Sequence, residues 1–302
     1  LKALVTGGAG FIGTNLIKRL LKDGHEVTSV DNYSTGVKEN HQDGCRYYNY
    51  DISSDHTIGI YVDHGTYPSW RDDDFDIIFH MAALARIQPS LEHPASHIKN
   101  NFNSTLHILE LARKNNIPVI YAGSSSFHQG LYESPYAWSK FGGEQLCKLY
   151  SEVYDLSTVV CRFYNVYGPY QILESDYAAV IGIWIHQYKN NEPLTITGDG
   201  EQRRDFTHVD DIVDGLVRAG RAMHGEVDMR YSAVEFELGT GKNYSMNEIT
   251  KMFGDYPKKY IPARKGEYDK TLCEDNRARD LLGWIPEIDM PEYIKKIVAE
   301  EI

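Results

Sequence analysis

Three features of the chain predict an α/β fold built on a doubly wound parallel sheet. Short apolar runs of β type alternate with helical stretches through roughly the first half of the 302 residues. A glycine-rich turn joins the first such run to the first helix. The pattern then loosens after Gly168 into shorter, mixed elements. In order, Lys2–Thr6 reads as a strand, and Phe11–Lys22 as a helix with apolar Ile12, Leu16, Leu20 and Leu21 on one side. Strands are expected at Glu26–Asp31, Cys45–Tyr50, Phe75–His80, Pro118–Ala122 and Ser157–Arg162. His97–Asn115 and Pro135–Tyr154 have helical length and period. Beyond Gly168 the expectations are a helix at Ala178–Lys189, a strand at Leu194–Thr197, a helix at Val209–Met223, a strand at Val234–Gly239 and a last helix near Pro291–Glu300. No repeat, low-complexity tract or Pro/Ser linker divides the chain, so one interleaved body with a cleft is expected.

Composition removes several function classes. Hydrophobic and charged contents of 42% and 25% are those of a soluble globular protein, and 302 residues allow a large buried core. A net charge of −12 argues against nucleic acid or an anionic membrane as the main partner, while leaving room for a local basic site. The four cysteines, Cys45, Cys147, Cys161 and Cys273, form no C-x-x-C pair, which suggests neither a zinc cluster nor a disulfide framework and fits a reduced, cytoplasmic setting. No apolar run approaches the ~20 residues of a membrane span. The opening residues pass directly into strand and glycine turn, unlike a signal peptide.

The turn reads Thr6-Gly7-Gly8-Ala9-Gly10-Phe11-Ile12-Gly13. Glycines at 7, 10 and 13 permit a tight turn, close backbone approach to a pyrophosphate and tight helix–strand packing, and the helix N-terminus offers free N–H groups to phosphate. Asp31 closes the second strand about 20 residues on, where a carboxylate accepts hydrogen bonds from ribose hydroxyls. It would repel a 2′-phosphate, and Asn32-Tyr33 offers no arginine, so NAD is favoured over NADP. Asp51, after the third strand, could accept from the adenine amine or equally serve as a helix N-cap.

Of the 22 tyrosines, only Tyr136 has a lysine four residues on, Lys140 in Ser134-Pro135-Tyr136-Ala137-Trp138-Ser139-Lys140. Positions i and i+4 share a helix face, and a cation there favours phenolate over phenol. One such pair arises by chance in a chain of this size, so its surroundings must decide its meaning.

Together with His80-Met81-Ala82-Ala83, Asn100–Thr105, Ser124–Ser126, Arg162–Pro169, Gly198–Asp211, Arg264–Glu267 and Leu281–Pro286, these motifs resemble the extended short-chain dehydrogenases/reductases. The resemblance spans nearly the whole chain and is strongest to the NAD-dependent nucleotide-sugar epimerase/dehydratase group, its UDP-hexose 4-epimerases in particular. It implies a Rossmann domain at 1–167 with segments of about 205–240 returning to it. Residues 168–204 and 241–302 would form a smaller α/β substrate-binding domain. Gly7, Gly10, Phe11, Ile12 and Gly13 would line the pyrophosphate. Asp31 and Asn32 would hold the adenosine ribose, Asp51 and Ile52 would flank adenine, and Ala82, Ala83 and Asn100 would border the rest of NAD. Asn165, Val180, Arg204, Arg264 and Glu267 match positions that bind a nucleotide diphosphate, with surface ion pairing the lesser alternative for the two arginines. Tyr136 would be the base, with Lys140 lowering its pKa and holding the nicotinamide ribose.

Three serines compete to support Tyr136. Counting back from Gly130 gives Ser125, and counting along the triple serine gives Ser126; Ser125 is preferred. Ser126 and Phe127 stand where dehydratases carry acidic residues, which disfavours dehydration. Thr271 falls where a small residue is associated with room for a 2-N-acetyl group, so UDP-GlcNAc/GalNAc joins UDP-Glc/Gal as an expected substrate pair. The segment from Ser125 to Tyr136 is shorter than the family's, and His128-Gln129 replaces its Val-Tyr. Other nucleotide sugars, another epimerisation or reduction, and a non-catalytic NAD-binding scaffold remain as alternatives. The resemblance also implies a homodimer through the helices at His97–Asn115 and Pro135–Tyr154, and no metal.

Overall fold

The computed structural model describes residues 1–54, 74–226, 233–264, 266 and 268–300. A seven-stranded sheet contains β1 (Lys2–Thr6), β2 (Glu26–Asp31), β3 (Cys45–Asn49), β4 (Ile77–His80), β5 (Val119–Ser124), β6 (Thr158–Phe163) and β10 (Val234–Leu238). Its spatial order is β10-β6-β5-β4-β1-β2-β3, and every pairing in it is parallel. The order reverses between β1 and β4, so the C-terminal ends of these two strands open a crevice, the usual ligand site of a doubly wound sheet.

Helices cover both faces. On one side α1 (Phe11–Lys22) and α6 (Val209–Arg221) pack on Val5, Phe79 and Ile120 through Leu16, Ile17, Val213 and Leu216. On the other, α3 (Pro94–Asn115) and α4 (Pro135–Tyr154) cover Leu4, Ile78 and Val160 through Ile108, Leu109 and Cys147. The central strands β4, β5 and β6 are buried along their whole length, which explains why their runs read as continuous apolar stretches.

A third apolar cluster joins α5 (Val180–Lys189), β8 (Leu194–Thr197), β9 (Arg203–His208), α7 (Met246–Met252) and α9 (Met290–Val298) around Trp184, Phe206, Ile249 and Ile294. Two small sheets frame it. β9 lies between β7 (Asn165–Tyr167) and β11 (Asn243–Ser245), while β8 pairs with β12 (Lys258–Ile261). The tail is fastened to α6: Trp284 Nε1 donates to the Asp211 carbonyl at 2.8 Å, and the Asp211 carboxylate accepts the amides of Glu287 and Ile288. No helix among the described residues is long and apolar enough to cross a membrane.

Five of the expected elements, β1, α1, β2, α4 and β8, match at both ends, and the boundaries that differ do so by one to three residues. α3 begins at Pro94, which supplies the first-turn φ without needing a donor. β5 runs past its apolar stretch to Ser124, because Gly123 and Ser124 pair with Arg162 and Phe163. That extension carries Ser124 to the mouth of the crevice.

Candidate active site

Gly7 has φ of 70°, and a Cβ there would lie 2.8 Å from Ala82 Cα; one on Gly13 would lie 2.2 Å from the Gly7 carbonyl oxygen. The turn can close on β4 and α1 only as glycine. α1 then starts at Gly10 with no side-chain cap and no acid in its first turn, which leaves its N–H groups to an anion. Asp31 accepts the Ala9 amide at 2.9 Å through one carboxylate oxygen and the Tyr33 amide at 2.8 Å through the other. It braces the glycine turn while facing the cavity, with lone pairs left for ribose hydroxyls. This cradle fits a dinucleotide. Gly10, Phe11, Ile12, Asn32, Asp51, Ile52, Ala82, Ala83 and Asn100 line the same cavity. Asp51 faces the cavity and accepts the Ser53 amide and hydroxyl at 2.9 and 2.7 Å, capping a turn rather than a helix. Asp31→Ala should raise the Kd for NAD about 10- to 100-fold, the worth of losing charge-assisted hydrogen bonds. Titration calorimetry checks this, with Asp31→Asn expected between the two.

α4 is launched by Ser134, whose hydroxyl accepts the Ala137 amide at 3.1 Å, with Pro135 in the first turn. Tyr136 therefore sits at the mouth of the crevice, its amide fixed to Ser90 Oγ at 3.2 Å. Burial pushes its phenol above the ordinary tyrosine value; a hydrogen bond with Ser124 and the charge of Arg86 pull it back, and Glu144 works against them. Of the three serines, Ser124 is thus the one that acts on the phenol, and Ser125 and Ser126 line the same cavity as Tyr136. The cause is the longer β5, which leaves Ser124 as the last strand residue and turns Ser125–Gln129 into a short 3-10 helix. Ser124 Oγ also lies 2.9 Å from Ser126 Oγ, and Ser125 lines the neighbouring substrate cavity.

Lys140 also departs from expectation. Its ammonium stands over the Tyr121 ring, 4.2 Å from the centroid, and burial brings it down to about 8 against the pull of Glu144 and Cys147. A lysine so placed is a weakened source of charge as pH rises. Arg86, at the C-terminal side of β4, is the cation the sequence did not reveal. A signal was available: it follows His80-Met81-Ala82-Ala83 at a strand end where ligands collect.

A second cavity adjoins the first, and the two share Arg86, Ser124, Tyr136, Phe163, Tyr164 and Val166. Asn165, Val180, Arg204, Arg264 and Thr271 line the second. Glu267 lies outside the described residues. Asn165 Nδ2 donates to the Asp205 carbonyl at 3.1 Å and to Thr271 Oγ1 at 3.4 Å, and Thr271 Oγ1 also accepts the Asp205 amide at 3.1 Å. Gly182 has a clear role as well: a Cβ there would lie 2.4 Å from the Ile172 carbonyl oxygen, so its absence lets the segment bearing Ile172 approach the cofactor cavity.

Residues 3–231 match the NAD dependent epimerase/dehydratase family. The chain belongs to that family. As a family member it uses NAD. The UDP-glucose 4-epimerase of Mycolicibacterium smegmatis is 31% identical, over 99% of this chain and 97% of that one. The UDP-glucuronate 4-epimerase of Thermodesulfobacterium geofontis is 32% identical, over 98% and 94%. The crystal structure of UDP-glucose 4-epimerase from Thermotoga maritima with UDP-glucose superposes with a TM-score of 0.86 at 29% identity, covering 99% of this chain and 98% of that one.

Proposed function

We propose that this family member is an isomerase that inverts C4 of a UDP-hexose, UDP-Glc/UDP-Gal or UDP-GlcNAc/UDP-GalNAc. The observation that carries the reading is Tyr136, hydrogen-bonded to Ser124, at the seam between a dinucleotide cradle and a cavity flanked by Arg204 and Arg264. NAD, when bound, would take a hydride from the sugar's C4 and give it back. Tyr136 takes the proton from the 4-hydroxyl as that hydrogen leaves, and returns it when the 4-keto sugar is reduced on its other face. Ser124 holds the phenol, and Ser125, on the sugar side, holds the sugar. Arg204 and Arg264 neutralise the diphosphate, with Asn165 and Val180 beside it.

The small Thr271, held between Asn165 and Asp205, leaves room for a 2-N-acetyl group. Its hydroxyl is occupied by those two partners, so it acts through size. The third apolar cluster forms the core of the substrate-binding part, and the seven-stranded sheet that of the cofactor part. Trp138, Leu149, Val153 and Tyr154 are exposed on α4 and supply an apolar face for homodimer pairing. All four cysteines are unpaired, which suits a reducing cytoplasm.

The test is incubation with UDP-Glc, UDP-Gal, UDP-GlcNAc and UDP-GalNAc separately, without added reductant, and resolution of the products. Interconversion of each C4 pair is expected. Turnover of the non-acetylated pair alone would remove the role given to Thr271, and no conversion of either pair would overturn the reaction.

A further inference from the structure

Arg86 occupies a backbone conformation that only glycine enters freely, with φ of 85° and ψ of 142°. Such strain persists where surroundings over-determine it, and here they do. His80 is tied to Thr6 and Thr105 on one side, and α2 (Ile87–Glu92) is tied to α4 through Ser90 and the Tyr136 amide on the other. The consequence is that the guanidinium enters the seam where the two cavities meet, beside the phenol. Its Nε donates to the Tyr177 carbonyl at 2.9 Å, and among the described residues none of its other nitrogens has a hydrogen-bond partner. A cation with two free donor groups is therefore fixed at the place where negative charge develops.

We propose that Arg86 is a positioning residue for the reaction, supplying the permanent positive charge that stabilises the phenolate of Tyr136. The idea rests on Tyr136 being the proton acceptor. When the 4-hydroxyl proton passes to the phenolate oxygen, the O–H electron pair forms the C4 carbonyl as the C4 hydride departs. Arg86 favours the charged acceptor that starts this step. Lys140, brought down to about 8 by burial, loses charge as pH rises, whereas a guanidinium does not.

The groups facing the phenol come from several elements. Ser124 and Tyr121 lie on β5, Glu144 on α4, and Tyr268 on the loop after β12, while Lys140, also on α4, is turned onto the Tyr121 ring. Arg86 acts on the phenol against Glu144, the carboxylate of that set, so its removal has a definite sign. The phenol's pKa must rise.

The experiment uses the purified protein with NAD and the variants Arg86→Met, Arg86→Lys and Arg86→Gly. Tyrosinate absorbance is titrated against pH in each, and the same titration of Tyr136→Phe is subtracted to isolate one phenol. Arg86→Met should move that phenol upward by about one pH unit or more, the usual effect of an adjacent opposite charge, and Arg86→Lys should recover most of the shift. Arg86→Gly separates charge from fold, because glycine suits this backbone: the same upward shift is expected with Tm unchanged or higher. The acid limb of kcat should follow in all three. No substrate is needed for the absorbance reading, so it remains decisive even if the sugar assignment fails. An unmoved Tyr136 titration in both Arg86→Met and Arg86→Gly overturns the proposal. So does an unmoved acid limb accompanied by a KM increase confined to a carboxylated substrate such as UDP-glucuronate, which would make Arg86 a reader of the sugar.

Discussion

Tyr136→Phe should lower turnover of the UDP-sugar by about 10²- to 10⁴-fold, the worth of a positioned proton acceptor. Phenylalanine keeps the ring and the amide bond to Ser90, so α4 should still begin where it does. What disappears is the oxygen proposed to exchange a proton with the 4-hydroxyl. The loss should therefore fall on kcat, with the Kd for NAD and for the nucleotide sugar nearly unchanged by calorimetry, the signature of an interaction made only during the reaction. The wild-type pH profile gives a second reading. Burial holds the phenol above its ordinary value, so activity should climb with pH through and above neutrality, and the residual activity of the variant should lose that climb. Full activity in Tyr136→Phe would remove this residue as the proton acceptor.

The sheet and its helices were legible in the sequence because buried parallel strands and amphipathic crossovers leave strong periodic patterns. The glycine turn and Asp31 were legible because their chemistry is local: the residues that cradle a pyrophosphate are neighbours along the chain. The part that hid is where the chain comes together from far apart. Ser124 becomes the partner of Tyr136 through two extra rungs between β5 and β6, set by Arg162 and Phe163, and counting within the serine run could not show them. Lys140 obeys the spacing rule, yet the Tyr121 ring on the adjacent strand draws its ammonium aside. Arg86 depends on an unusual φ that nothing in its own residue type announces. Short-range rules locate a side chain on an element; which way it turns is decided by the elements packed against it.

Arg162→Met should destabilise the fold by about 3–5 kcal/mol, the cost of leaving buried charge without its partner. Arg162 is buried between Glu144 and Glu237, with contacts of 2.8 and 3.3 Å, and reaches Glu235 at 3.0 Å. Burial would raise Glu237, but hydrogen bonds from His128 and Tyr164, helped by the charges of His128 and Arg162, hold it at about 2. A depressed carboxylate contributes stability above its unfolded pKa, and that contribution fades as pH falls toward about 2. Without Arg162 the balance at Glu144 tips further toward burial, which already pushes its pKa up. A raised carboxylate binds its proton more tightly in the folded state, so the variant's penalty should grow as pH rises above the ordinary glutamate range. Urea unfolding at pH 5 and pH 8 should accordingly show the larger loss at pH 8. Adding Glu144→Gln should recover part of it, because a neutral amide is far cheaper to bury than an unpaired carboxylate. The same substitution bears on the reaction, since Glu144 is the carboxylate that opposes ionisation of Tyr136. In Glu144→Gln alone the Tyr136 titration should move down, opposite in sign to Arg86→Met. An Arg162→Met protein equally stable at both pH values would show that these carboxylates do not depend on the arginine for their charge.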